Sequence, residues 1–251
     1  MTNEIIYAII SIENERKVKP MIDKRKKYYL MLDTETCNGI QEDDGTLDLT
    51  QSLVYDIGCA IVDKRGNIYD EQSFVIIETF IGMKDVMRSA YYANKIPMYW
   101  EDIKLGQRQL VTLHTARTAI LEMAKKYNAE IVVAHNAGFD LRALNNTQRY
   151  ISKSKYRYFF PYGFEWWDTL KMANDIYGNQ PSYRRYCERH GYMTRHRKPR
   201  PRMTAEILHR YLTGNEDFEE SHTGLEDVKI ESQIFAQCMR QNKKMRKALY
   251  N

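Results

Sequence analysis

The chain has 251 residues, 43% of them hydrophobic, which suits one substantial core and makes a disulfide or metal unnecessary merely to fold it. Its formal charge of +5 is mild and does not by itself imply a polyanionic partner, and the apolar run at 5–10 is too short to span a membrane and has no basic segment before it. The four cysteines (Cys37, Cys59, Cys187, Cys238) lie far apart without a Cys-x-x-Cys pair, which argues against a zinc ribbon or disulfide framework and fits free thiols in a soluble, cytoplasmic protein that is not exported.

Residues 1–27 read as an extension that joins a short apolar stretch to a basic run, and helix and strand fit its first part equally well. From Tyr28 a single domain follows. Tyr28–Leu32 is an apolar run with the character of a buried strand ending in Asp33-Thr34-Glu35. Leu53–Val62 and Ile68–Ile77 predict two further strands, and Asp63-Lys64-Arg65-Gly66-Asn67 between them is turn chemistry, so the pair makes a hairpin. Residues 82–106 form an aromatic insert (Tyr91, Tyr92, Tyr99, Trp100) with Pro97 as a break. Apolar residues at Leu110, Leu113, Ala116, Ile120, Leu121 and Ala124 keep helical spacing and predict a helix over 107–127.

Ile131–Ala134 predicts a fourth strand, followed by a helix from about 137 to 150 with Asn136 placed to cap it. The aromatic stretch Tyr158–Trp167 leads to Asp168, placed to cap the next helix. A basic arm over 183–202, a helix near 204–212, an acidic loop and a last helix over 223–240 complete the chain. A leading hairpin followed by alternating helices and strands indicates an α/β fold with a mixed central sheet flanked by helices.

Three segments carry chemistry. Asp33 and Glu35, two apart on a strand, point to one face, so both carboxylates reach one ion. Chance supplies about four such acidic pairs in this composition, but this pair ends an apolar strand, where an unpaired carboxylate is costly. Asp140 falls on the first turn of a helix, where the helix dipole favours an anion, although acids in first turns are routine. In Ser221-His222-Thr223-Gly224-Leu225-Glu226-Asp227, Thr223 and Glu226 have capping-box spacing. His222 and Asp227 then take the two positions that a hydrophobic staple brings together, which sets an imidazole beside a carboxylate.

The set Leu-Asp-Thr-Glu-Thr at 32–36, His-Asn-Ala-Gly-Phe-Asp at 135–140 and His-x-x-x-x-Asp at 222–227 resembles the DEDDh (DnaQ-like) 3′–5′ exonucleases of the RNase H-like superfamily, in order and approximate spacing. The resemblance implies an RNase H-like fold, its leading strands antiparallel and its later ones parallel. It implies that Asp33, Glu35, Asp140 and Asp227 hold two divalent cations, Mg²⁺ or Mn²⁺, as all-oxygen ligands suit hard ions. His222 would be the general base, its pKa raised by the adjacent carboxylate. The product would be a nucleoside 5′-monophosphate released from a single-stranded 3′ end.

The resemblance also makes Thr34, Thr36, Asn136 and Phe139 contacts to the terminal nucleotide, though Phe139 could equally be helix-core packing. In the arm, Arg195, Arg197 and Lys198 among interleaved tyrosines (Tyr183, Tyr186, Tyr192) suit phosphates and bases, against the alternative of a solvated charge run. The expected substrate is DNA. The alternatives are an RNA 3′-end trimming exoribonuclease or oligoribonuclease, and a non-catalytic RNase H-like binding module, which should have lost at least one of the five residues. Residues 1–27 and 82–106 lie outside the motifs, so contact with a polymerase or other replication partner, or a homodimer, would be built there.

Overall fold

The computed structural model describes residues 22–41, 47–88, 90, 92–152 and 157–250; most of the extension, Tyr91 and the acidic 42–44 segment lie outside them. The central element is β1 (Tyr28–Cys37), and Asp33-Thr34-Glu35 lies within it, not at its end. Antiparallel to β1 runs β4 (Leu53–Asp63), which turns back into β5 (Ile68–Ile76), so the hairpin forms as the turn residues predict. Two short strands, β2 (Ile40–Gln41) and β3 (Leu47–Asp48), make a separate two-stranded ribbon. With β6 (Gln109–Val111), β7 (Ile131–Ala134) and β8 (Glu165–Asp168), the main sheet has six strands in the order β6-β5-β4-β1-β7-β8. The β1–β7, β7–β8 and β5–β6 pairs are parallel, so the sheet is mixed.

Period-two alternation divides the core. Leu30 and Leu32 pack on the face covered by α4 (Leu113–Tyr127) and α5 (Gly138–Ile151). Tyr29 and Met31 pack on the opposite face with α6 (Thr169–Tyr177), α7 (Pro181–Arg189), α8 (Ala205–Thr213) and α9 (Gly224–Arg240). After α1 (Ile77–Phe80), the insert is helical, in α2 (Lys84–Arg88), a 3-10 turn at Ala93–Lys95 and α3 (Ile96–Lys104). It packs on the sheet in a third small core shared with β1, β4 and β5, where Tyr99 and Phe80 lie on Tyr55.

Several expectations need correcting. The helix expected over 107–127 starts at Leu113: Leu110 belongs to β6, and Thr112 caps α4 by accepting a bond from the Thr115 amide. Pro97 does not break a helix but opens α3, where its missing N–H has no partner to lose. The aromatic run before Asp168 hides strand β8, whose Trp166 and Trp167 join opposite faces of the core. The first part of the basic arm is helix α7, and its Tyr183 is fully buried, so that ring is core and not a base platform. Asn136 does not cap α5; it sits in the left-handed region (φ 64°), and its backbone carbonyl accepts a bond from the Phe139 amide. Asp168 does cap α6, accepting bonds from the amides of Leu170 and Asn136.

Candidate metal-binding active site

Parallel neighbours β1 and β7 open at the same edge of the sheet, where chain direction diverges to the hairpin on one side and β8 on the other, the usual place for a crevice. Asp33 and Glu35 leave β1 on the α9 face. The β1–β4 register shifts between Glu35 and Thr36, a bulge of the kind that re-aims a side chain.

The N-terminus of α9 is drawn against this face by paired glycines. A Cβ on Gly58, which lies opposite Asp33 on β4, would fall 1.9 Å from the Gly224 carbonyl carbon, so only glycine permits this approach. The Gly224 amide also donates to buried Asp56 at 3.0 Å. This contact delivers Asp227 and the loop before it to the carboxylates on β1. One ligand atom each from Glu35, His222 and Asp227 lie within 4.8 Å of one another. Asp140, from the first turn of α5, is held from β1: its Oδ1 accepts bonds from the Thr34 amide at 3.1 Å and hydroxyl at 2.8 Å.

Burial and mutual repulsion decide the electrostatics. Burial first, and then the charges of Glu231, Asp140, Glu35 and Asp227, push the Asp33 carboxyl well above its usual range. Glu35 is pushed to about 9 by burial and then by Asp227. Asp227 goes to about 8 by burial and then Glu220, and Asp140 to about 7 by burial, against the downward pull of the Thr34 bonds. Such a group of oxygens without cations is poorly able to ionise. Two divalent ions would supply the missing positive charge, so the donor set fits hard cations. His222 moves the other way from the expectation: burial, and then the Lys95 ammonium, lower its pKa.

The raised acids fix a sign. Folded Glu35, Asp140 and Asp227 keep protons that the unfolded chain releases near pH 4, so metal-free stability falls as pH climbs from there to about 9. Melting curves of chelated protein should shift down across that window, and Mn²⁺ should restore more stability at pH 8 than at pH 5. An unchanging Tm across the window would contradict the buried-carboxylate picture.

A network beside the site fixes α9. Arg108, almost fully buried, reaches Asp56 at 3.2 Å, Asp102 at 2.9 Å, Glu226 at 2.8 Å and the Ser73 hydroxyl at 3.1 Å. It thereby joins β4, β5, α3 and the first turn of α9. The capping box differs from its expected form: the Thr223 hydroxyl bonds the Glu226 carboxylate at 2.5 Å, with no side-chain bond to the helix amides. Replacing Arg108 by leucine strands the Asp56 charge in the core. Urea unfolding should show a loss of about 3–5 kcal/mol, the usual result of removing one partner of a buried pair.

The five residues Asp33, Glu35, Asp140, His222 and Asp227 therefore come together where β1, the first turn of α5 and the start of α9 meet. Thr34 is buried on Asp140, Thr36 and Phe139 are half-buried, and Asn136 is exposed at the end of β7. Arg195, Arg197 and Lys198 are exposed on a small excursion closed by the Met193–Pro201 bridge. His135 anchors its base, with Nε2 2.7 Å from the Met203 carbonyl oxygen and Nδ1 3.0 Å from the Thr169 hydroxyl.

Sequence reasoning missed Glu231, a buried carboxylate that accepts the His135 amide and adds its charge to the cluster. It lies four residues beyond Asp227, one helical turn on, so spacing could have found it. It also missed Tyr92 and Lys95, whose place beside His222 no local pattern announces.

The chain matches no family model, and a search of the curated proteins returns no match. Among solved structures, one described as 3′-end specific recognition of histone mRNA stem-loop by 3′-exonuclease aligns over 98% of this chain and 73% of its own, with TM-score 0.53 and 11% identity. Exonuclease X in complex with 5′ overhanging duplex DNA aligns over 85% of this chain and 92% of its own, with TM-score 0.43 and 16% identity. E. coli Exonuclease I in complex with an oligonucleotide aligns over 86% of this chain and 40% of its own, with TM-score 0.48 and 13% identity. What the chain shares with the first of these is the fold: a mixed six-stranded sheet with flanking helices, RNase H-like in architecture.

Proposed function

We propose that the protein is a 3′–5′ exonuclease of the DEDDh type, removing nucleoside 5′-monophosphates from single-stranded 3′ ends. The observation that carries this reading is the convergence of four acids from β1, α5 and α9 with one imidazole at their rim. Asp33, Glu35, Asp140 and Asp227 would hold two Mg²⁺ or Mn²⁺ ions. When bound, such a pair stabilises both the attacking and the leaving oxygen of an in-line displacement.

The chain's own residues do the rest. Thr34 keeps Asp140 turned towards β1. Burial and the Lys95 ammonium favour the neutral form of half-exposed His222, whose Nδ1 lies 3.8 Å from the Glu220 carboxylate, so its ring would take a proton from water. Thr36, next to Glu35 in the sequence, and Asn136 and Phe139, close before Asp140, would meet the terminal nucleotide, while Thr34 would act on it through Asp140. Neutral histidine beside buried acids is the arrangement a base needs.

DNA is the substrate we assign, and RNA is the other outcome of the same test. A 5′-labelled oligonucleotide should shorten one nucleotide at a time, and a 3′ block should stop it. Internal cuts, or digestion that ignores the block, would refute the polarity.

The arm is assigned to the strand behind the 3′ end. Changing Arg195, Arg197 and Lys198 together to glutamine should weaken binding and flatten its dependence on salt by up to about three counterions, one per lost phosphate contact. An unaltered slope of log affinity against log salt would return these residues to the role of solvated charges.

A further inference from the structure

The insert does more than enlarge the fold. After α2 the chain passes over the loop before α9, and the ring of Tyr92 stacks on the His222 imidazole, centroids 4.7 Å apart and planes 18° from parallel. Three residues on, Lys95 donates its ammonium to the backbone carbonyls of Ser221 and of His222, the latter at 3.3 Å. The same ammonium lies 4.3 Å from the centroid of the Tyr92 ring. Lysine, tyrosine and histidine therefore form one stack. The insert supplies two of its members.

The His222 loop needs such support. His222 has φ 48°, in the left-handed region that a non-glycine residue adopts only when its surroundings impose it. From the helix side the loop is held by Ser221 Oγ, 3.3 Å from Asp227 Oδ1. From the insert side it is held by Lys95, whose charge also faces Glu35, Asp227 and Glu220. An ammonium in that place can satisfy carbonyls that have no backbone donor among the described residues. The tyrosine ring fixes the plane of the imidazole, which χ1 and χ2 rotation would otherwise leave free.

We infer that Tyr92 and Lys95 form a clamp that sets the orientation of His222, making them positioning residues for the proton transfer. This rests on the reading of His222 as the base. Misplacing a reacting group by about 1 Å can cost about a hundredfold in rate, so the clamp acts on turnover and not on binding.

The test pairs kinetics with a direct view of the ring. Tyr92→Ala should lower kcat by about ten- to a hundredfold with KM and Mn²⁺ affinity unchanged, and Tyr92→Phe, which keeps the stack, should restore it. Lys95→Met should act in the same direction, with Lys95→Arg retaining most of the rate. In a His222→Ala background, Tyr92→Ala should have no further effect, because the two would act through one group. The His222 ring-proton resonance should lose its ring-current shift in Tyr92→Ala and keep it in Tyr92→Phe.

A raised KM and a flatter salt slope in Lys95→Met would overturn the clamp in favour of direct phosphate contact. A Tyr92→Ala effect that persists in the His222→Ala background would overturn it in favour of general packing. If His222→Ala is inactive while Tyr92→Ala is fully active, only the clamp fails; full activity in His222→Ala itself removes the reading beneath it.

Discussion

Asparagine at position 140 should reduce turnover by more than about a hundredfold, since partners that only support metal ligands already cost about 10–100-fold when removed. The substitution is nearly isosteric, and its side-chain oxygen can still accept both Thr34 bonds. The fold should therefore survive. The metal-free variant should also melt higher than the parent at pH 8, because a buried carboxylate whose pKa is about 7 in the folded state has been made neutral. Lost activity with raised metal-free stability is a paired result that a structural aspartate would not give. Turnover near the parental rate in a contaminant-free preparation would sink the metal-site model.

Alanine at 222 is the second large effect. A general base contributes about 10²–10⁴-fold, so kcat should fall by that range. His222 stands within ligand distance of Glu35 and Asp227, and this makes a metal-ligand role the competing explanation. Calorimetric titration with Mn²⁺ separates the two. Unchanged affinity supports the base, and a large loss of affinity assigns the imidazole to the metal. Full-speed cleavage removes His222 from the chemistry altogether.

Asp33, Glu35 and Asp227 were legible in the sequence from local patterns, whereas Asp140, an acid in a first helical turn, rested mainly on the family resemblance. Asp33 and Glu35 interrupt an apolar strand, and the segment from His222 to Asp227 carries a helix start. The same local reading failed where a tertiary partner decides. Leu110 has helical spacing with the residues that follow, yet it pairs in β6 because β5 offers it a parallel edge. Tyr183 looks like part of a basic, aromatic arm, yet its ring is buried against Tyr177 and Tyr211. The His222 pKa was expected to rise because its neighbouring carboxylate is visible in the sequence, while Lys95 and the burial of the ring are not. Glu231 shows the intermediate case. Its spacing from Asp227 is in the sequence, but its weight comes from being buried among four other acids.

Arg108 and the paired glycines belong to the same class of hidden determinants. Each acts between elements distant in sequence: Arg108 reaches Glu226 on α9, and Gly58 admits Gly224. Together they place the start of α9, and with it Asp227 and the His222 loop, against β1.

The central claim is divalent-dependent removal of mononucleotides from a 3′ end, and one assay addresses it. Purified protein and its Asp140→Asn variant are each given 3′-labelled single- and double-stranded DNA and RNA with Mg²⁺, Mn²⁺ or chelator, and products are identified by mass. The expected result is labelled nucleoside 5′-monophosphate from a single-stranded 3′ end with either metal, and none with chelator or with the variant. No mononucleotide from any of the four substrates, or equal release in chelator, would contradict it.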